Sequence, residues 1–357
     1  STNLNQNQSA AADNKPGAAQ AEVVVLPDSE QTVKGSWWYV RTDASKAEFS
    51  DCIIRREAVM SSEEIGRLVG AAQGASSRSA RASILVDLGR LRLQQGAFDK
   101  ARRAYAKACA LDTTLATAYS GLGVALTMLA NYDQAEAAQR TALRIDPAMG
   151  RAHAGLGLNA LQQARVENAL THYQHAVALD PDLFGAHMKV GDLQRGRRAY
   201  GEASDAYAAA TRAAPGRAGA YHYLGLSQAL NGRPRQALDA YAQAIALDAQ
   251  RVETHFLLAE LLRQLRDAPS ALASYTHALE LDPDHAKAHH GLAVLYATQL
   301  DDASRALEQA EAAASLDPSS ARYLNTLALI YHRLGRAADA ERAIRAALDI
   351  EPDSAMY

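Results

Sequence analysis

GRAHAGLGLNALQQARVENALTHYQHAVALDPDL, residues 150–183, is the stretch that decides the fold. It carries a Leu-Gly pair at Leu156-Gly157, an alanine twelve residues after the glycine at Ala169, an aromatic at Tyr173, a second alanine at Ala176 and a proline at Pro181. The pair returns every 34 residues as Leu88-Gly89, Leu122-Gly123 and Leu224-Gly225, with Val190-Gly191 in the gap. Alanines follow in step at Ala101, Ala135, Ala203 and Ala237, and again at Ala108, Ala142, Ala210 and Ala244. Tyr105, Tyr207, Tyr241 and Tyr275 hold the aromatic place, with Gln139 the exception, and Pro147, Pro215, Pro283, Pro318 and Pro352 close further units. A fixed period of this length is the signature of a repeat architecture.

Each unit reads as two short helices packed antiparallel. Small residues at the glycine and alanine places let the helix backbones approach, while the tyrosine and flanking leucines fill the space between successive units. Proline lacks an amide hydrogen and stops the second helix before the next begins. Turn residues separate the helices at Gln95-Gly96, Asn131-Tyr132, Asn231-Gly232 and Leu334-Gly335, and Pro234 and Pro269 stand where a first helical turn tolerates proline. The pattern resembles the tetratricopeptide repeat family, in which small residues, an aromatic and a terminal proline hold these relative places. The resemblance runs from Ala82 to the end in eight units, opening near Ala82, Ala116, Gly150, Phe184, Ala218, Val252, Ala286 and Ala321. Ala259, Ala293 and Ala328 replace the glycine, Thr113 and Ala249 replace the proline, and one extra residue near Asp301-Asp302 is expected to lengthen a turn. Such units bury their faces only against neighbours, so the resemblance implies an all-α, right-handed superhelical solenoid with a concave groove lined mainly by first helices.

Composition bounds the rest. The chain has 357 residues, 48% hydrophobic and 22% charged, a length at which one compact core gives way to domains or a repeat array. Lys+Arg 37 against Asp+Glu 40 gives a net charge of −3, without the basic field that nonspecific nucleic-acid binding needs. No apolar run reaches the ~18 residues of a membrane span. Cys52 and Cys109 are too few for a disulfide framework, and a bridge between them would need the N-terminal segment to lie against the first repeat. No P-loop, dinucleotide-binding glycine motif or HExxH is present, and no cofactor is expected.

Ahead of the repeats, residues 1–33 read as a disordered polar tether rich in Asn, Gln and Ala. Residues 34–60 concentrate Trp37, Trp38, Tyr39, Phe49, Ile53 and Ile54 in a stretch too short to fold alone, which is expected to dock on the solenoid. Residues 61–81 read as a lead-in capping helix, with Ser61 and Glu64 at capping-box spacing and Ile65, Leu68, Val69 and Ala72 on one face. Residues 82–357 are the eight repeats.

The histidines follow packing register. His153, His187, His255 and His289 share the repeat position of Tyr119 and Tyr221, so they are expected to fill space, while His172, His175 and His277 are expected to face solvent from second helices. Cys109 stands where other units have Leu143, Val177 and Ile245, the place of a small buried hydrophobe. First-helix positions expected to face the groove read Val124 and Met128, then Leu158 and Leu161, then Met188, Asp192 and Arg195. They continue with His222, Leu226 and Leu230, then Phe256, Glu260 and Arg263, then His290 and Val294. Exposed leucines and methionines in a solvated concavity would be an apolar patch that a partner segment, or the N-terminal stretch itself, should cover. The lysine, asparagine and arginine set by which some relatives clamp a C-terminal carboxylate is missing from these positions. Seven arginines against two acids between Arg195 and Arg235, and eleven acids against four bases from Glu253 to Asp317, polarise the array toward a charged partner.

The reading is a non-catalytic scaffold that holds a protein or peptide segment in its groove, with no nucleic-acid partner and no transmembrane span. Because the polar tether from Ser1 looks like the spacer that follows a lipidated cysteine, the scaffold is expected on the periplasmic side of a bacterial membrane, resembling repeat lipoproteins of pilus, secretion or exopolysaccharide machinery. A cytoplasmic adaptor or chaperone for a secreted substrate, and a non-catalytic domain of a larger enzyme, are the alternatives. Since the histidines follow packing register rather than ligand geometry, excess chelator is expected to leave the melting temperature unchanged; a drop of many degrees would make the group around His289 a metal site.

Overall fold

The computed structural model describes residues 62–351, and the expectations for residues 1–33 and 34–60, for the Ser61 cap, for Cys52 and for Pro352 lie outside them. The described residues form seventeen α-helices. A single helix, α1 (Ser62–Gly74), precedes eight antiparallel pairs: α2 (Arg78–Gln94) with α3 (Phe98–Leu111), α4 (Ala116–Met128) with α5 (Tyr132–Ile145), α6 (Gly150–Gln162) with α7 (Val166–Leu179), and α8 (Phe184–Gly196) with α9 (Tyr200–Ala213). The series goes on with α10 (Ala218–Leu230) and α11 (Pro234–Leu247), α12 (Val252–Gln264) and α13 (Ala268–Leu281), α14 (Ala286–Thr298) and α15 (Ala303–Leu316), and α16 (Ala321–Arg333) and α17 (Ala337–Ile350). The first pair opens at Arg78 rather than Ala82, because the Ser77 hydroxyl accepts the Ala80 amide hydrogen at 3.0 Å and caps the helix there.

The repeated small residues let the helix backbones approach, as their spacing requires. A Cβ placed at Gly89, Gly191 or Gly225 would come within 2.8, 2.6 or 2.7 Å of the ring of Tyr105, Tyr207 or Tyr241. Ala101, Ala135, Ala169, Ala203 and Ala237 are wholly buried, as are the rings of Tyr207, Tyr241 and Tyr275. Ala259 and Ala293, in the glycine place, are equally buried, so the exchange of one small residue for another keeps the packing. Gln139 fills the tyrosine place by donating its side-chain amide to the Ser120 carbonyl at 3.0 Å. The extra residue of the seventh unit does lengthen a turn: four residues, 299–302, join α14 to α15, where three join α4 to α5.

First helices of successive units pack on one another through most of the array, while successive second helices make no comparable contact. First helices therefore sit closer together and form the inner, concave side. At the close of most units an aspartate ends the second helix and its carboxylate accepts the amide hydrogen two residues on, as in Asp112 to Thr114 at 2.9 Å and Asp146 to Ala148 at 3.1 Å. This turn clamp surrounds the repeat prolines and directs the chain into the next unit.

The turn inside each pair passes through a left-handed residue: Gly96, Gly232 and Gly335 in three units, but Ala130, Ala164, Arg198, Arg266 and Asp301 in the others, at φ of 55 to 65°. A side chain there strains against its own backbone. Ala130→Gly and Ala164→Gly are each expected to raise unfolding free energy by about 0.5–1 kcal/mol in urea titrations, and Gly232→Ala to lower it by a similar amount. A destabilising glycine at both positions would show that the turn is not strained.

Candidate functional site

The concave surface is built by the first helices, and curvature divides the expected groove residues into two sets. Val124, Leu158, Leu161, His222, Phe256, Glu260 and His290 are buried, whereas Met128, Met188, Asp192, Arg195, Leu226, Leu230, Arg263 and Val294 are half-buried. Val124 and Leu158 share one apolar cluster with Leu93 and Tyr105, because α2, α4 and α6 close on each other and interdigitate. Leu161 joins the cluster around Tyr173, and the Phe256 ring lies 5.3 Å from that of His285 and 6.3 Å from that of Tyr275. These side chains hold neighbouring units together, and the half-buried set, centred on α8, α10, α12 and α14, keeps part of its surface exposed while Met188, Leu226 and Leu230 also pack on the clusters beneath them.

Two charged stations interrupt that surface. On α8, Asp192 accepts hydrogen bonds from the Tyr207 hydroxyl at 2.7 Å and from Lys189 at 3.2 Å, while Arg195 stands over the Tyr223 ring at 5.7 Å. On α12, Glu260 accepts from the Tyr275 hydroxyl and from Arg263 at 2.8 Å, and only 5% of its side chain remains exposed. Burial, and then the neighbouring carboxylate, push both tyrosine hydroxyls well above their usual range. Both phenols therefore stay protonated as donors, which lets a carboxylate sit beside the apolar seam.

The histidines take structural partners. Nε2 of His187, His255 and His289 meets the backbone carbonyl of Pro181, Ala249 or Pro283 at 2.9–3.0 Å, one turn into the preceding connection. His285 caps α14 by accepting the Ala288 amide hydrogen at 3.1 Å, and His290 pairs with the Thr326 hydroxyl at 3.0 Å. The imidazoles of His285, His289 and His290 thus engage three separate partners. His172, expected in solvent, is half-buried against the His153 ring at 5.8 Å, and His277 packs on His255 at 4.4 Å. Cys109 is a free, buried thiol among Ala72, Ala82 and Leu85, and burial raises its pKa to about 11. It packs as a small apolar side chain and is a poor nucleophile.

A TPR repeat model matches residues 89–129, and a tetratricopeptide repeat model matches 122–184, 154–218, 224–286, 256–299 and 289–355. Among solved structures, the C-terminal part of a TPR repeat-containing protein from Cytophaga hutchinsonii is 18% identical, with a TM-score of 0.53 over 68% of this chain and 99% of that one. YrrB, described as a TPR protein with an unusual peptide-binding site, is 24% identical with a TM-score of 0.47 over 52% of this chain and 95% of its own. PilF of Pseudomonas aeruginosa is 23% identical with a TM-score of 0.47 over 63% and 98%. No curated protein matches.

His222 and His290 sit at the same repeat position and bind the next first helix, His222 through the Thr254 hydroxyl at 2.9 Å. Burial, reinforced by Arg251 for one and Arg322 for the other and opposed by Glu253 and Glu260, lowers both pKa values to about 4. An unfolded histidine titrates near 6.5, so the neutral ring favours the fold fully above that pH, and the advantage is lost as pH falls from ~6.5 toward ~4 at up to about 1.4 kcal/mol per unit for each residue. His222→Met with His290→Met, which copies the residue that Met188 supplies at the same position, should flatten the stability profile between pH 6.5 and 4.5. An unchanged slope would show that neither ring resists protonation.

Proposed function

Because the chain belongs to the tetratricopeptide repeat family, we propose that it is an interaction scaffold that holds a segment of a partner protein along the concave face of α8, α10, α12 and α14. The observation that carries this is the half-buried line of Met188, Leu226, Leu230 and Val294, in which Leu226 and Leu230 stand on the first helix between the Asp192/Arg195 and Glu260/Arg263 stations and Val294 on the one beyond them. Partly exposed apolar side chains gain when a partner covers them, by roughly 25 cal/mol per Å² removed from water. The half-buried Asp192, Arg195 and Arg263 contribute little net affinity but fix the partner's register and speed its capture. The buried Leu158 and Phe256 take no part in this contact, since changing them would unfold units rather than release a ligand.

The scaffold belongs, in this reading, to a bacterial envelope assembly on the periplasmic side. The support is the Asn-, Gln- and Ala-rich composition of residues 1–33, which suits a spacer between an anchor and a folded array.

A photo-crosslinking amino acid at Leu230, introduced in the source cells, is expected to trap an envelope protein. Met188→Ser with Leu226→Ser should cut the yield about tenfold while the circular dichroism spectrum keeps its helical signal. A cytoplasmic adduct would overturn the envelope reading, and a yield insensitive to the two serines would overturn the groove.

A further inference from the structure

The opposite end of the solenoid carries a second surface that the concave reading leaves unused. Every later unit packs its first helix against elements of the unit before it, but α2 has only the thirteen-residue α1 on that side. The result is an open groove of about 710 Å³ between α1, α2 and α3, floored by Val69, Leu85, Leu88 and Leu111. It runs into a further 220 Å³ bordered by Arg92, Lys100, Arg103 and Lys107. No acidic side chain lines either part. Residues 78–107 hold eight basic residues against Asp87 and Asp99, a local excess of positive charge in a chain whose total is −3.

A surface with an apolar floor and a cationic rim suits a short amphipathic segment that presents carboxylates beside an apolar face, and the chain carries one next to it. Glu48-Phe49-Ser50-Asp51-Cys52-Ile53-Ile54 places Phe49, Cys52 and Ile53 at the i, i+3, i+4 spacing of one helical face and adds Glu48 and Asp51, while the bases that flank it, Lys46, Arg55 and Arg56, fall outside these seven residues. We infer that residues 48–54 of this same chain seat in the groove, with Phe49 and Ile53 on the floor and Glu48 and Asp51 toward Lys100 and Lys107, and so supply the missing half of an N-terminal capping unit. The tether allows it. Seven residues, 55–61, separate Ile54 from the start of α1 and can span at most about 25 Å, whereas Val69 lies only about 10 Å along the helix from Ser62. A segment held on so short a link has an effective concentration in the millimolar range, which favours it over a free competitor. The site is independent of the concave groove, so either can fail without the other.

Cys52 makes the placement measurable in the full chain. With the buried thiol removed by Cys109→Ala and a new one placed on the groove wall by Ala110→Cys, mild oxidation is expected to join residues 52 and 110 within one molecule in most of the sample. A cysteine at the exposed far end, Ala338→Cys, should stay unbridged. Lys100→Glu with Lys107→Glu should lower the yield several-fold at low salt. Because Cys109→Ala touches the core, hydrogen exchange on the otherwise native chain gives a second test: Phe49→Ser with Ile53→Ser should speed exchange across α1 and the first half of α2. Equal bridging at 110 and 338, a bridge only between molecules, or exchange unmoved by the two serines would each overturn the placement.

Discussion

The structure depends on one contact, the ring of a second-helix tyrosine gripped between small residues of its own unit and of the next. Tyr105 meets Gly89 in its own first helix and Gly121 in the following one, and Tyr275 meets Gly291 in the same way. Because the ring is rigid and its neighbours have no side chain to yield, the contact sets both the distance within a helix pair and the step from pair to pair. Where the ring is replaced, a different device takes over. Gln139 ties itself to the Ser120 carbonyl, and Ala310 leaves its place to be filled by the cluster that includes Tyr323 and Leu327. The array tolerates such exchanges because each unit answers only to its neighbours.

Repetition of that step bends the solenoid toward its first helices, and the bend decides which residues a partner can reach. Crowding at the inner face buries Val124 and Leu158 and leaves Met188, Leu226 and Leu230 half-open. It also forces polar groups into the seam, where each is supplied with a partner: His222 with Thr254, His290 with Thr326, Glu260 with Tyr275 and Arg263. A buried carboxylate without those donors would be strongly unfavourable, so at Glu260 the packing has been arranged around a charge, and the half-buried Asp192 repeats the same tyrosine contact on α8. They give an otherwise uniform interior two distinguishable places along its length.

The ends behave differently from the middle. An interior unit is covered on both sides, but the eighth exposes 60% of Leu329, whose counterpart Leu158 in the third unit is almost wholly buried. The first shows the complementary effect in the apolar groove beside α1. Equivalent positions in the repeat therefore carry different physical tasks according to where the unit stands.

The sequence by itself determined the helix pairs, their number, the role of the glycines, alanines and tyrosines, and the family, because these follow from local backbone sterics and from side-chain size repeated every 34 residues. It also carries the aspartate that ends most second helices and clamps the following turn. Only the tertiary structure decided that Leu158, Phe256 and Glu260 are interior while Leu226 and Arg263 stay partly exposed. All five recur at first-helix positions with the same period, and a period cannot report how close the next first helix comes. That distance is set by the accumulated curvature of the array, a property of many units together that no single unit encodes.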